Sequence, residues 1–294
     1  MEHIPSVEDL ASVLPQLTHA DFIAAGGFKA VYRAVLADQQ EALKVVFLAA
    51  DEEEEGSREQ IIARVMRETE VLNLCHTPYL VKLGSMAPTA LTIAGLDYLA
   101  YTEEFLPGQP LIDLIRQNTQ PTFETVVTLT ESVMKALNEI ESIGHIHRDI
   151  KPHNVMATEL TERPFVVLDL GIAFKMHGTE LTPPGSGPPG TLLYMAPELF
   201  RPNYKDTLDI RSDVYSAGIT VFEFAAGTHP LARRGEDVYT TLYRILRQAP
   251  PKLKTVRTDL PEWFCEMIDR CIKKTPALRF RNPQVFLNDL ERNL

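Results

Sequence analysis

Three short stretches occur in a fixed order: His147-Arg148-Asp149-Ile150-Lys151-Pro152-His153-Asn154, then Asp169-Leu170-Gly171, then Ala196-Pro197-Glu198. Any one of them alone is a weak signal. Their order, at spacings that a single fold can accommodate, narrows the chain to a small set of architectures. Asp149 offers a carboxylate that can orient a hydroxyl and accept its proton, and Lys151, two residues on, offers a cation. Asn154 contributes a neutral oxygen and Asp169 a charged one, and hard oxygen ligands suit magnesium. Base, cation and metal oxygens together are what the transfer of a phosphoryl group requires.

With 294 residues the chain can form one large domain or two packed lobes, and 45% hydrophobic residues suffice for a substantial core. A formal net charge of -11 argues against a nucleic-acid surface, which needs a positive field to displace counterions. Cys75, Cys265 and Cys271 are few and badly spaced for a zinc site, so reduced thiols are the expectation. The start, Met1-Glu2-His3-Ile4-Pro5, has no basic or apolar run of the signal-peptide kind, and no apolar stretch approaches a membrane span. These features predict a cytoplasmic protein acting neither on nucleic acid nor in a membrane.

Residues 1–17 read as a short helical extension with Val7, Leu10, Ala11 and Leu14 on one face. From Phe22 to Phe47, β-branched and aromatic residues alternate with polar ones, which predicts strands, one of them at Ala42 to Phe47. Gln60 to Leu74 reads as an amphipathic helix with Ile61, Val65, Glu68, Val71 and Leu72 near one side, and Pro78 follows its end. Strands are predicted at Leu80 to Leu83, Leu91 to Ile93 and Leu96 to Tyr101. After Phe105-Leu106-Pro107-Gly108 the pattern turns helical, at Leu111 to Gln117, Phe123 to Ile143, Asp213 to Ala226, Val238 to Leu246, Trp263 to Lys273 and Pro283 to Leu290. A strand-rich first third and a helical remainder describe an α+β chain.

From about Asp21 to Arg279 the sequence resembles the eukaryotic-type (Hanks-type) serine/threonine protein kinases. The resemblance implies a bilobal kinase fold: an antiparallel β-sheet N-lobe with one main helix, over about 18–106, and a mostly helical C-lobe, over about 107–294. It also implies ATP and Mg2+ as cofactors and proteins as substrates. Asp149 and Lys151 are then the catalytic pair, and Asn154 and Asp169 the metal ligands. Glu41-Ala42-Leu43-Lys44 looks like the strand whose lysine grips the α- and β-phosphates, and Glu68 like the helix glutamate that pairs with it. Ile23, Val31, Ala42 and Met156 match the apolar positions around the base. Thr191 with Lys151 matches serine/threonine rather than tyrosine kinases.

The sequence departs from the family at the glycine loop, where Ala24-Ala25-Gly26-Gly27-Phe28-Lys29 keeps only Gly26 of the expected pattern. Glycines there let backbone approach phosphate oxygens, and Lys29 stands where the last one is expected. This loop alone suggests a pseudokinase or nucleotide-binding scaffold, against which Lys44, Glu68, Asp149, Asn154 and Asp169 are all intact. The hinge aligns with the backbone of Glu104 and Leu106 facing adenine and Glu103 guarding the back pocket; a shift placing Thr102 there is the alternative. Thr182 to Gly190 is rich in helix breakers, which predicts a mobile loop. Arg148 matches the arginine that captures a phosphate on this segment, with Thr179, Thr182 and Ser186 as candidate acceptors. Asp213 resembles the brace of the catalytic loop, and Arg279 the buried partner of Glu198. A small-molecule phosphotransferase is disfavoured by the stretch from Thr191 to Glu198. The acidic run at 51–55 reads as a solvated loop.

Overall fold

Alternation of apolar and polar residues becomes a five-stranded antiparallel sheet in the computed structural model, which describes residues 4–26, 29–48, 58–170, 192–201, 208–233 and 235–294. The strands are β1 (Leu17–Gly26), β2 (Lys29–Leu36), β3 (Gln39–Phe47), β4 (Thr89–Ile93) and β5 (Leu96–Glu104), in the order β1-β2-β3-β5-β4. They belong to a first compact unit, Met1–His76 with Val81–Pro107.

Because neighbouring residues of a strand point to opposite faces, this sheet builds two separate cores. On one face Tyr32, Ala34, Leu43, Val45, Tyr98 and Ala100 pack with Leu10 and Leu14 of helix α1 (Val7–Val13) and its exit. Ser6 caps this helix reciprocally with Asp9, and the Tyr32 hydroxyl donates to the Pro5 carbonyl at 2.5 Å. Ala11 faces outward, not inward as its spacing suggested, and Val13 takes part in the packing instead. On the other face Val46, Leu99 and Tyr101 meet Ile61 and Val65 of helix α2 (Arg58–Leu74).

The second unit comprises Thr77–Leu80 and Gly108–Leu294. Its helices are α3 (Leu111–Arg116), α4 (Phe123–Ser142), α5 (Arg211–Ala226), α6 (Val238–Arg247), α7 (Leu253–Val256), α8 (Glu262–Cys271) and α9 (Pro283–Asn293). Helix α5 is buried along almost its whole length and packs against α4 and α8. Gly218 permits the second contact, since a Cβ there would stand 2.6 Å from Cys271 Cβ. A three-stranded sheet of β6 (Gly108–Pro110), β7 (Val155–Thr158) and β8 (Phe165–Val167) was not legible in the sequence, its strands being only three or four residues long. Gly108 sits at φ +137, where a Cβ would lie 2.1 Å from the Ala157 carbonyl, so only glycine fits.

The strand expected at Leu80 to Leu83 is two isolated bridges, Leu80 to Val167 in the second unit and Leu83 to Glu103 in the first. A four-residue segment shared between two units has no room for a ladder. Among the described residues no helix is long and apolar enough to cross a membrane. All three cysteines are free thiols, and burial pushes the Cys265 thiol up to about 11.

Candidate active site

In the first unit, strand alternation turns Leu43, Val45 and Phe47 into one core and leaves Lys44 on the face toward α2. Lys44 lies opposite Tyr101 across the β3–β5 ladder, so Glu103, two residues along β5, is its diagonal neighbour on the same face. The Lys44 ammonium contacts the Glu103 carboxylate directly. Glu68, the partner expected from the helix, stands 4.0 Å from the same nitrogen and accepts a hydrogen bond from the Tyr101 hydroxyl at 3.5 Å. All three charged residues are buried. Thr102, the alternative for the guard position, points the other way, where its hydroxyl accepts from the Met86 N–H at 2.9 Å.

The remaining expected nucleotide contacts of this unit lie on the sheet and its exit. Ile23 is half exposed on β1, and Val31 and Ala42 are half buried on β2 and β3. Gly26 ends β1 opposite Lys29, with no atom within 4 Å of the place a Cβ would occupy. Leu106 is buried, and the Glu104 N–H donates to the Lys82 carbonyl at 2.9 Å. The loop tip at Gly27 and Phe28 and the acidic run 51–55 lie outside the described residues.

In the second unit the chain after α4 is held by Asp213, near the start of α5. Its carboxylate accepts the backbone N–H of His147 at 2.6 Å and of Arg148 at 2.8 Å. These bonds secure a strained turn, because Arg148 has φ +70, a conformation costly for a side chain of its size. Complete burial pushes the Asp213 carboxyl up to about 7, against the pull of the two N–H donors. His147 accepts from the Asp149 N–H on Nδ1 at 3.2 Å and therefore carries its proton on Nε2, which donates to the Leu168 carbonyl at 3.2 Å. Burial holds this imidazole neutral, its pKa lowered to about 4.

The functional groups sit on that frame. Lys151 Nζ donates to both Asp149 oxygens, at 3.0 and 2.8 Å. Asn154 Nδ2 donates to the Asp149 carbonyl at 2.9 Å and its carboxylate at 2.8 Å, which turns the amide oxygen the other way. Asp169 follows Leu168 at φ +42, a second strained residue one step from the His147 anchor. Met156 is half buried on β7, opposite Pro110 and Val166. The Nε of Arg148 is buried and has no hydrogen-bond partner among the described residues. Gly171, the whole of 171–190 with Thr179, Thr182 and Ser186, and Thr191 lie outside the described residues.

Beyond them, Glu198 and Arg279 form a buried two-fold ion pair. The protein kinase domain model matches residues 17–289, a span that includes this pair and Asp213. The chain belongs to the protein kinase family. A probable serine/threonine-protein kinase of Clostridium perfringens is 26% identical over 270 residues, covering 92% of this chain and 37% of that protein. Serine/threonine-protein kinase PknA of Mycobacterium tuberculosis is 27% identical over 263 residues, covering 88% and 57%. The chain thus spans from about two fifths to somewhat over half of the length of these relatives. The crystal structure of the Mycobacterium tuberculosis PknI kinase domain is similar in fold, with a TM-score of 0.65 at 22% identity over 96% of this chain and 97% of that one.

Two features of the kinase site were missed from sequence. The His147 relay to Leu168 had a usable signal, a histidine directly before Arg-Asp. The direct contact of Lys44 with Glu103 had one too, a glutamate at a guard position that is more often apolar or small.

Proposed function

We propose that this chain is an ATP-dependent protein serine/threonine kinase. The observation that carries the reading is the Asp149, Lys151 and Asn154 cluster, held by hydrogen bonds on a strained loop that Asp213 braces. Asp149 orients the acceptor hydroxyl and takes its proton as the oxygen–phosphorus bond forms and the bond from the γ-phosphorus to the bridging oxygen breaks. Lys151, already within hydrogen-bond reach of Asp149, offsets charge on the phosphoryl group in transit. Lys44 holds the α- and β-phosphates, and Ile23, Gly26, Val31, Ala42, Glu104, Leu106 and Met156 bind the rest of the nucleotide.

The amide oxygen of Asn154, left over by the Nδ2 contacts with Asp149, and the carboxylate of Asp169 are a donor set that fits a magnesium ion, which when bound neutralises phosphate charge. The substrates are proteins, acted on in the cytoplasm, and the catalytic domain spans 18–294 behind the extension 1–17. The Nε of Arg148, buried and without a partner among the described residues, supports capture of a phosphate on Thr179, Thr182 or Ser186. Incubation with labelled ATP and magnesium, with Asp149→Asn as control, tests the reading. Label transfer to protein by the wild type alone is expected; transfer to small molecules only, or none by folded protein, overturns it. The chain's own transfer to one of these hydroxyls is the source of that phosphate, and mass spectrometry of an active preparation with none of the three modified removes this autophosphorylation step.

A further inference from the structure

We infer that Glu103, rather than Glu68, is the residue that positions Lys44, so that the lysine is held by the sheet itself. This rests on the kinase reading for its consequence but on the first unit alone for its geometry. Lys44 contacts the Glu103 carboxylate, while the Glu68 carboxylate is 4.0 Å away. The side chains of Lys44, Glu103 and Glu68 are only 5%, 3% and 9% exposed, so the nearer ion pair acts where water screens it little.

The two holders differ in how firmly they are themselves fixed. Glu103 and Lys44 sit on adjacent strands whose ladder runs unbroken from Glu41–Glu104 to Phe47–Tyr98, which sets their diagonal separation. Glu68 instead reaches Lys44 from α2, whose packing on the sheet is made of side chains such as Ile61 and Val65. The Tyr101 hydroxyl, bonded to Glu68 at 3.5 Å, is a long contact between that carboxylate and the sheet. A lysine on a flexible stem takes its direction from the carboxylates that hold it, and of these two the nearer is on the neighbouring strand. Glu103 is thus a positioning residue, and displacement of α2 leaves Lys44 oriented.

The test compares Glu103→Gln with Glu68→Gln, each nearly isosteric and each removing one charge. Acylation of Lys44 by an amine-reactive ester, followed by mass spectrometry, reads its release from a partner without requiring catalysis. Glu103→Gln is expected to accelerate this labelling more than Glu68→Gln does. In phosphoryl transfer, Glu103→Gln is expected to lower kcat by about tenfold or more and Glu68→Gln by roughly threefold or less, since misdirection of a phosphate-binding group falls on turnover. Equal or reversed order in labelling or in kcat overturns the inference, as does a Glu103→Gln protein more active than wild type. If the Gln variants fail to fold, Glu103→Asp against Glu68→Asp decides by the same order. A wild type that transfers no phosphate defeats the kinase reading alone, and the labelling order still decides who holds Lys44.

Discussion

Arg279 and Glu198 are joined by two parallel hydrogen bonds of 2.6 and 2.7 Å although 81 residues separate them. The same guanidinium donates to the carbonyls of Lys273, Lys274 and Arg211 and lies 4.8 Å from the Tyr215 ring centre. It therefore ties the Ala-Pro-Glu stretch to the start of α5 and to the loop after α8. Removing one member strands the other as a buried charge. Arg279→Met is expected to cost about 3–5 kcal/mol in urea unfolding. Arg279→Lys is expected to recover little of this, because an ammonium cannot reproduce the planar fork.

Asp213 holds the backbone just before Asp149, so its loss should be felt in turnover. Asp213→Ala leaves the buried N–H of His147 and the half-buried N–H of Arg148 without acceptors, at up to about 1–3 kcal/mol each. Relaxation of the φ +70 turn at Arg148 would then shift Asp149, its neighbour. A fall in kcat much larger than the change in ATP affinity is expected in steady-state kinetics; equal changes in both would contradict the bracing role.

Helix α1 has its own energetic signature. Leu10 is completely buried in the core formed by the outer face of the sheet, beside Tyr32 and Ala34. Leu10→Ala is expected to destabilise the first unit by about 2–5 kcal/mol, read as a lowered thermal midpoint. An unchanged midpoint would mean that the helix merely rests on the sheet.

How much of this was readable beforehand depended on the length scale of the signal. Helix α4 and helix α5 carry enough turns for their apolar period to show, and their predicted ends fall within two residues of the observed ones. Strands β6 to β8 are too short for a period, and their pairing joins Gly108 to Thr158, a relation no local window contains. Within the site, the motifs point to particular residues, whereas the direct contact of Lys44 with Glu103 has no local signature in the stretch around Lys44. That contact is set by the β3–β5 register, which brings Glu103 diagonal to the lysine and closer than the helix brings Glu68. The outward turn of Ala11 is similar: its spacing suited either side of a two-turn helix, and the sheet below selected Val13.

The last prediction concerns pH and rests on His229. Its Nδ1 accepts the N–H groups of Leu231 and Ala232 at 3.0 and 2.7 Å, its Nε2 donates to the Leu193 carbonyl at 3.2 Å, and its ring meets Tyr194 edge-on. Burial lowers its pKa from 6.5 to about 4. Between these values the unfolded chain binds a proton that the folded chain refuses, so the stabilisation is complete above 6.5 and is lost as pH falls toward 4. Buried His147 behaves alike, but Glu223 and Asp213, both raised to about 7, have the opposite sign: their contribution is complete at low pH and is lost as pH rises through 7. These opposite slopes overlap in the whole protein, so the informative quantity is a difference. His229→Asn keeps an acceptor for Leu231 and Ala232 but removes the titrating ring. Its destabilisation relative to wild type should be largest near neutrality and shrink by up to about 1.4 kcal/mol per pH unit below 6.5. Urea unfolding of both proteins from neutral to mildly acidic pH checks this, and a difference that stays constant across that range would show that His229 titrates no differently folded than unfolded.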